Sequence, residues 1–277
     1  MNNLDLKEQT KNLCKQLDIV PTKSKGQNFL ISQGVLDKII TTADLSKEDV
    51  VLEIGPGLGI LTEELTKRVG RVVAVELDRK LLGYLKDKFG QVKNLELVEG
   101  DVIKLLNYQI VKLLEGKKYK VVANLPYQIT SHVLRLLLET DSGPSEMVLM
   151  VQKEVGERIC ATKGEMSVLA VMVQYYSRPE MVAVVGREDF WPVPEVDSAI
   201  IKLKTQNSKL KSKEDLFFKF IKVGFNGKRK MLKNNLRNIY SEQKVLAAFW
   251  ELKIDSRARA EDLGVEEWKR LYQKLVG

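Results

Sequence analysis

Apolar and polar positions alternate in blocks along this chain, and the period of each block predicts its element. Short apolar runs rich in β-branched residues predict buried strands at Val50–Ile54, Arg71–Glu76, Asn94–Val98, Tyr119–Ala123 and Glu146–Val151. Between and after them apolar residues recur three and four apart. That spacing predicts helices over Leu58–Val69, Arg79–Phe89, Tyr108–Leu114, Ile129–Leu138, Lys153–Cys160 and Met166–Tyr176. Two further helices precede the first strand, one over Leu4–Leu17 and one running from a Ser32 cap to Asp44. Two last strands, Met181–Val185 and Ser198–Leu203, can form an antiparallel hairpin at the sheet edge. Alternation of this kind predicts an α/β fold, a mostly parallel seven-stranded sheet with helices on both faces.

The polar stretch Thr205–Lys213 ends that pattern. Beyond it only helical periods remain, at about Lys213–Phe225, Gly227–Ile239, Ser241–Trp250 and Val265–Leu275. Two domains are therefore expected, a sheet domain over 1–205 and a small all-helical domain over 206–277.

Composition narrows the class. With 277 residues, 44% apolar and 30% charged, the chain is long enough to bury a substantial core. It contains no apolar run of the length that spans a bilayer. The polar, acid-containing Met1–Thr10 resembles neither a signal nor a transit peptide. Cys14 and Cys160 stand far apart with no metal or redox spacing, so a reduced, cytoplasmic protein is expected. The single histidine, His132, argues against histidine-rich metal sites and against a Ser-His-Asp hydrolase; no metal site is expected. His132 reads as a packing or capping residue.

Charge adds a partner class. The net charge is +8, but residues 202–237 alone carry twelve Lys or Arg against Glu214 and Asp215. A basic block on a near-neutral body is the footprint of a polyanion, or else a solvated linker followed by a lysine-rich helix face. Within it, Lys228, Arg229, Lys230, Lys233 and Arg237 are the candidate nucleic-acid contacts.

The chemistry sits at the carboxyl ends of the predicted strands, where open α/β sheets bind ligands. Glu53-Ile-Gly55-Pro-Gly57-Leu-Gly59 follows the first strand and opens a helix. Glycines there permit a tight turn and close backbone approach. The dinucleotide fingerprint fails, because Ile60 stands where its last glycine belongs. A ligand without a pyrophosphate, such as S-adenosyl-L-methionine, suits the compact turn better. Glu76 ends the second strand and is either an acceptor for ribose hydroxyls or a surface acid. Asp101 ends the third and is either an acceptor for an adenine amine or a helix cap. Together the three strand ends look like those of class I, Rossmann-like methyltransferases.

The fourth strand delivers Asn124-Leu125-Pro126-Tyr127. Pro126 stiffens the loop and pushes Leu125 to extended backbone. An adenine amine is a poor nucleophile. Held by the Asn124 amide oxygen and the Leu125 carbonyl, its lone pair can turn towards a methyl donor while Tyr127 stacks on the base. Tetrads of this kind mark amino-methyltransferases.

Five segments then occur in order: Lys25-Gly-Gln-Asn28-Phe-Leu30, the glycine turn, the Asn124–Tyr127 tetrad, Gln152-Lys-Glu154, and Phe190-Trp-Pro-Val-Pro-Glu-Val-Asp-Ser198. As a set they resemble the ribosomal RNA adenine N6,N6-dimethyltransferase family. Lys228–Leu236 and Arg259–Leu263 resemble its bacterial small-subunit (KsgA-type) branch. The resemblance implies that Asn28 and Leu30 close over the cofactor, with Gly55, Glu76, Asp101 and Asn124 completing its shell. It implies that Phe190 faces Tyr127 across a flipped adenine, and that Asp197 and Ser198 hold the loop that carries Phe190. It further implies action on two adjacent adenines of a 3′-terminal hairpin of 16S rRNA within the immature 30S subunit. Nothing in the sequence demands a dimer, and a monomer is expected. Two other readings stay open: an assembly factor whose binding outweighs catalysis, and an adenine methyltransferase for large-subunit RNA or DNA.

Overall fold

The computed structural model describes residues 6–21, 27–106, 109–114, 118–140, 142–206, 211–227 and 229–276. The amino-terminal part runs α1 (Leu6–Gln16), β1 (Phe29–Leu30), α2 (Gln33–Ala43), β2 (Val50–Ile54), α3 (Ile60–Arg68), β3 (Arg71–Glu76) and α4 (Arg79–Phe89). It continues with β4 (Leu95–Glu99), α5 (Val102–Leu105), α6 (Gln109–Leu113), β5 (Lys120–Asn124), α7 (Thr130–Glu139) and β6 (Glu146–Gln152). Then come α8 (Lys153–Ile159), α9 (Val168–Tyr176), β7 (Ser177–Val185), β8 (Phe190–Trp191) and β9 (Ser198–Thr205). Four helices follow: α10 (Lys211–Gly224), α11 (Leu232–Leu236), α12 (Glu242–Glu251) and α13 (Val265–Val276).

Seven strands form one sheet in the order β4-β3-β2-β5-β6-β9-β7. β2 is buried at every residue, as expected of a strand covered on both faces. β2, β3, β4, β5 and β6 pair in parallel, and β9 runs antiparallel to β6 with Gln152 opposite Ser198. Within this sheet the chain enters at β2, winds out to β4, and returns to β5 on the other side of β2. That reversal opens a crevice beyond the carboxyl ends of β2 and β5. β9 and β7 lie together at one edge of the sheet, the place expected for a hairpin.

The local signals explain most boundaries. Asp78 caps α4 by accepting from the Lys80 and Leu81 N–H groups. Ser32 precedes α2 but its side chain makes no capping bond. Gly59 heads α3 at φ +76°, and a Cβ there would meet Phe89 and Leu85 at 2.6 and 2.8 Å. Only glycine serves both the left-handed backbone and the helix contact.

The sequence pattern missed a two-stranded ribbon. Phe29 pairs with Trp191 and Leu30 with Phe190, antiparallel. Adjacent strand residues face opposite ways, so Phe29 and Trp191 pack with Cys14, Ile19, Leu58 and Leu81. Leu30 and Phe190 join the sheet core with Ile39, Val148, Met150 and Ile200.

The chain divides into two compact units, one of Met1–Gly156 with Pro179–Thr205, the other of Glu157–Arg178 with Gln206–Gly277. A boundary falls at Thr205/Gln206, where the polar stretch begins, but Glu157–Arg178 groups with the carboxyl-terminal helices and not, as expected, with the sheet. Periodicity could not decide this. The segment Val168–Tyr176 is apolar on nearly every side, so no stripe tells which core it serves. In the second unit Met166, Ala170 and Val171 pack with Phe217, Phe220, Leu236 and Phe249 around a fully buried Trp268.

α11 is shorter than its predicted 227–239 span. Leu232 N–H is drawn to the Ala258 carbonyl at 2.8 Å, and buried Asn235 donates to the Gly224 carbonyl at 2.6 Å. These bonds fix an irregular turn where periodicity alone continued a helix. Among the described residues, no helix is long and apolar enough to cross a membrane.

Candidate active site

The crevice at the switch point is a cavity of about 740 Å³ in the first unit. Its wall brings together Asn28, Leu30, Gly55, Gly57, Glu76, Asp101, Asn124, Leu125, Pro126 and Tyr127. Those residues come from five separate segments of the chain: four lie at the carboxyl ends of the parallel strands β2, β3, β4 and β5, and the fifth, with Asn28 and Leu30, comes from the β1–β8 ribbon.

The glycine turn is tied to the acid of the next strand. Gly57, at φ +58°, donates its N–H to Glu76 Oε2 at 3.1 Å. Asp78 N–H donates to Glu76 Oε1 at 2.9 Å. Burial pushes the Glu76 carboxyl above its ordinary range, and the backbone donors pull it back. The Leu77 backbone N–H also bonds this carboxylate, and since a carboxylate offers about four acceptor sites, about one remains for a ligand hydroxyl.

Asp101 is a helix cap that also lies on the cavity wall. Its Oδ1 caps α5 by accepting from Ile103 N–H at 2.9 Å, and the residue also lines the cavity. A cap and an acceptor for a ligand amine are compatible because the carboxylate has two oxygens.

Glu53 is the functional candidate that sequence reasoning passed over. It lines the cavity, is 1% exposed, and its Oε2 has no hydrogen-bond partner among the described residues. Burial pushes its carboxyl up to about 8, and the nearby Glu76 adds to the rise. The signal was present: one acid in the otherwise apolar Val50-Val-Leu-Glu-Ile54. Glu53, Glu76, Asp78 and Asp101 all line the cavity. Of the two cations on the wall, Arg79 pairs with Glu99 at 2.7 Å and Lys80 with Asp18 at 3.2 Å. With Glu53 holding its proton, the acids Glu76, Asp78 and Asp101 still give the cavity an acidic wall, which suits a ligand that carries positive charge.

On the opposite wall, Asn124 ends β5. Its Nδ2 donates to the Asn28 carbonyl at 3.3 Å, linking the loop before β1 to the strand end. Among the described residues, no hydrogen bond reaches Asn124 Oδ1, which is left as a free acceptor. Leu125 is buried and donates its N–H to the Met150 carbonyl at 3.2 Å, so the tetrad is held on the sheet. Pro126 Cδ lies 3.8 Å from the Cβ position of Gly55, so the tetrad packs on the glycine turn. Tyr127 is half-buried, and its hydroxyl bonds Ser198 Oγ at 2.7 Å. Burial raises the phenol pKa, so the ring enters as a neutral face and not as a base.

Phe190 does not join this wall. It is 1% exposed and sits in the sheet core, while Trp191 packs half-buried on the other side of the ribbon. Phe190 would face Tyr127 across a base only by leaving that packing. His132 is exposed on α7 and neither packs in a core nor lines the cavity.

In the second unit Arg229, Lys230 and Arg237 are exposed and Lys233 is partly so; Lys228 lies outside the described residues. Arg237 is ion-paired with Glu242. No cluster of three or more metal-ligating side chains occurs among the described residues.

Residues 21–276 match the family model described as ribosomal RNA adenine dimethylase. The chain is 45% identical over 270 residues to the ribosomal RNA small subunit methyltransferase A of Dehalococcoides mccartyi, covering 96% of this chain and 92% of that one. It is 40% identical to the protein of the same name in Moorella thermoacetica, covering 99% of each. Among solved structures it is similar to a dimethyladenosine transferase from Plasmodium falciparum, with a TM-score of 0.77 at 27% identity over 89% of this chain and 96% of that one. It is also similar to the 23S rRNA methyltransferase ErmE, with a TM-score of 0.74 at 28% identity over 90% and 100%.

Proposed function

The chain belongs to the ribosomal RNA adenine dimethylase family, and from that premise we propose that it converts two adjacent adenines of a 3′-terminal hairpin in 16S rRNA to N6,N6-dimethyladenosines. The substrate in this reading is the immature 30S subunit, the methyl donor is S-adenosyl-L-methionine, and the enzyme works as a cytoplasmic monomer. The small-subunit naming of relatives at 40–45% identity supports the choice of RNA.

The observation that carries the reading is the state of Asn124. One of its two amide N–H bonds is donated to the Asn28 carbonyl, which sets the direction of the amide and leaves its oxygen without a partner among the described residues. An exocyclic amine is what such an acceptor orients at the end of β5. The acidic cavity, with Glu76, Asp78 and Asp101 on its wall, fits a cationic nucleoside cofactor. In this assignment Gly55 and Gly57 let the backbone approach it, Glu76 accepts from its ribose, and Asp101 accepts from its adenine amine. Asn28 and Leu30 close over it. S-adenosyl-L-methionine, when bound, supplies a methyl group activated by a sulfonium.

The chain's own residues do the positioning. Asn124 Oδ1 and the Leu125 carbonyl take the two N–H bonds of the target amine, and Tyr127 stacks on the base. Each transfer releases one proton, which a weakly basic arylamine gives up to water without a strong base nearby. Phe190 enters as the support of the β1–β8 ribbon that carries Leu30. Arg229, Lys230, Lys233 and Arg237, with Lys228, contact phosphates, which makes RNA binding steeply salt-dependent.

Replacing Glu76 by alanine removes the ribose acceptor and frees the Gly57 and Asp78 N–H groups. Cofactor binding measured by calorimetry is expected to weaken about 10- to 100-fold, the loss of one or two hydrogen bonds to a charged group. Unchanged affinity would remove Glu76 from the assignment. The function itself is tested by incubating the protein with immature 30S and 50S particles and mapping methylated adenines by primer extension. Stops at two adjacent small-subunit adenines are expected. Stops confined to large-subunit RNA would overturn the choice of substrate.

A further inference from the structure

Tyr127 is held at two points, and the second lies on a different strand. Its backbone leaves β5 through Pro126, and its hydroxyl reaches Ser198 at 2.7 Å. Ser198 is the first residue of β9 and is 0% exposed. In a sheet of parallel strands the ligand-facing edge collects carboxyl ends. An antiparallel strand is the exception that brings its first residue there. β9 is that strand, and its pairing sets Ser198 opposite Gln152, the last residue of β6.

The anchor is itself secured. The neighbouring Asp197 accepts Lys153 N–H on its carbonyl at 2.9 Å and Arg187 N–H on its carboxylate at 3.2 Å. The Ser198 backbone is thus fixed by a ladder on one side and a braced loop on the other. A ring bonded to the Ser198 hydroxyl at its far end cannot swing about its side-chain torsions.

Resting on the reading of Tyr127 as the stacking face for the target adenine, we propose that Ser198 is a positioning residue that sets the plane of this ring and thereby secures the second methyl transfer. The first transfer starts from an NH₂ group, whose two N–H bonds fit the Asn124 oxygen and the Leu125 carbonyl. It replaces one N–H by N–CH₃; the donor's S–CH₃ bond breaks with its electron pair returning to sulfur, and one proton leaves. The second transfer starts from NH–CH₃ and has one N–H left to hold. Half of the polar alignment is gone, and the stack on Tyr127 carries a larger share. Loosening the ring therefore costs the second step more than the first.

The test uses the full-length protein with Ser198→Ala, Tyr127→Phe and the double variant on immature 30S particles. Product nucleosides are separated after digestion, and the ratio of N6-monomethyl- to N6,N6-dimethyladenosine is measured at equal total methylation. Both single variants are expected to raise that ratio about 3- to 10-fold, the size of one lost neutral hydrogen bond. The double variant should raise it no further, because both changes break the same bond. Cofactor affinity by calorimetry should stay within about 2-fold. A general loss of folded enzyme would slow both transfers together and leave the ratio alone. If Ser198→Ala does not fold, Tyr127→Phe removes the same bond from the half-buried partner and decides alone. An unchanged ratio, or additive effects in the double variant, would overturn the clamp while leaving the function standing. Absence of any methylated adenine with the wild-type protein would overturn the function and the clamp with it.

Discussion

Alanine at Asn124 is expected to lower the single-turnover rate of adenine methylation about 10²- to 10³-fold, the usual cost of deleting one preorganised polar group from a reacting centre. The side chain does two jobs that alanine cannot. Its Nδ2 ties the Asn28 loop to the end of β5, and its Oδ1 is a free acceptor at the mouth of the tetrad. Without the oxygen, one N–H of the target amine loses its partner and the lone pair no longer points along one direction. The chemistry is limited by that alignment, since no strong base or metal is invoked to compensate. Cofactor binding should suffer far less, because Glu76, Asp101 and the glycine turn are untouched. Rapid-quench methylation on immature 30S particles, with calorimetry for the cofactor, separates the two effects. A wild-type rate in Asn124→Ala would end the proposed role of the tetrad.

Glutamine at Glu53 should make the protein more stable at alkaline pH and flatten its pH dependence. The folded protein holds the Glu53 proton up to about pH 8, whereas the unfolded chain releases it near 4.5. Between those values the unfolded state binds fewer protons than the native state, so stability falls as pH rises. The contribution is complete below about pH 4.5 and is gone above about pH 8. Three and a half units correspond to about 5 kcal/mol at most. Above that window the fold carries a buried carboxylate with an orphaned oxygen. Glutamine stays neutral throughout. Between pH 5.5 and 8.5 the melting temperature of the wild type should drop by several degrees more than that of Glu53→Gln. Parallel declines in the two proteins would show that Glu53 is ionised or solvated in the native state.

The strands and the ligand turn were legible because their signals are local. An apolar run of five residues, a glycine at a strand end and a proline in a tetrad each act within a few residues of themselves. Glu53 was visible as a letter but its condition was not, since burial depends on what α3 and β3 place around it. Asp101 could not be resolved between cap and ligand acceptor because its two oxygens can serve both. Phe190 is the clearest limit. Family resemblance put it opposite Tyr127, yet in the structure it packs under Leu30, and two residues of strand carry no period from which that side could be read. Ser198 was noticed as a loop holder; its bond to Tyr127 joins residues 71 positions apart and follows only from β9 running antiparallel.

The path of the chain between the two units also bears on inheritance. It passes out of the first unit after Gly156, comes back at Pro179, and passes out again after Thr205. The helical unit is thus not a cassette appended to a finished enzyme. Recombination that cut once, after Thr205, would carry away Phe217, Phe220 and Trp268 and strand Met166, Ala170 and Val171 without their oily partners. A gene lineage can edit the basic surface of this unit residue by residue, but it cannot trade the unit for another in a single event. The catalytic sheet and its helical companion are bound to descend together.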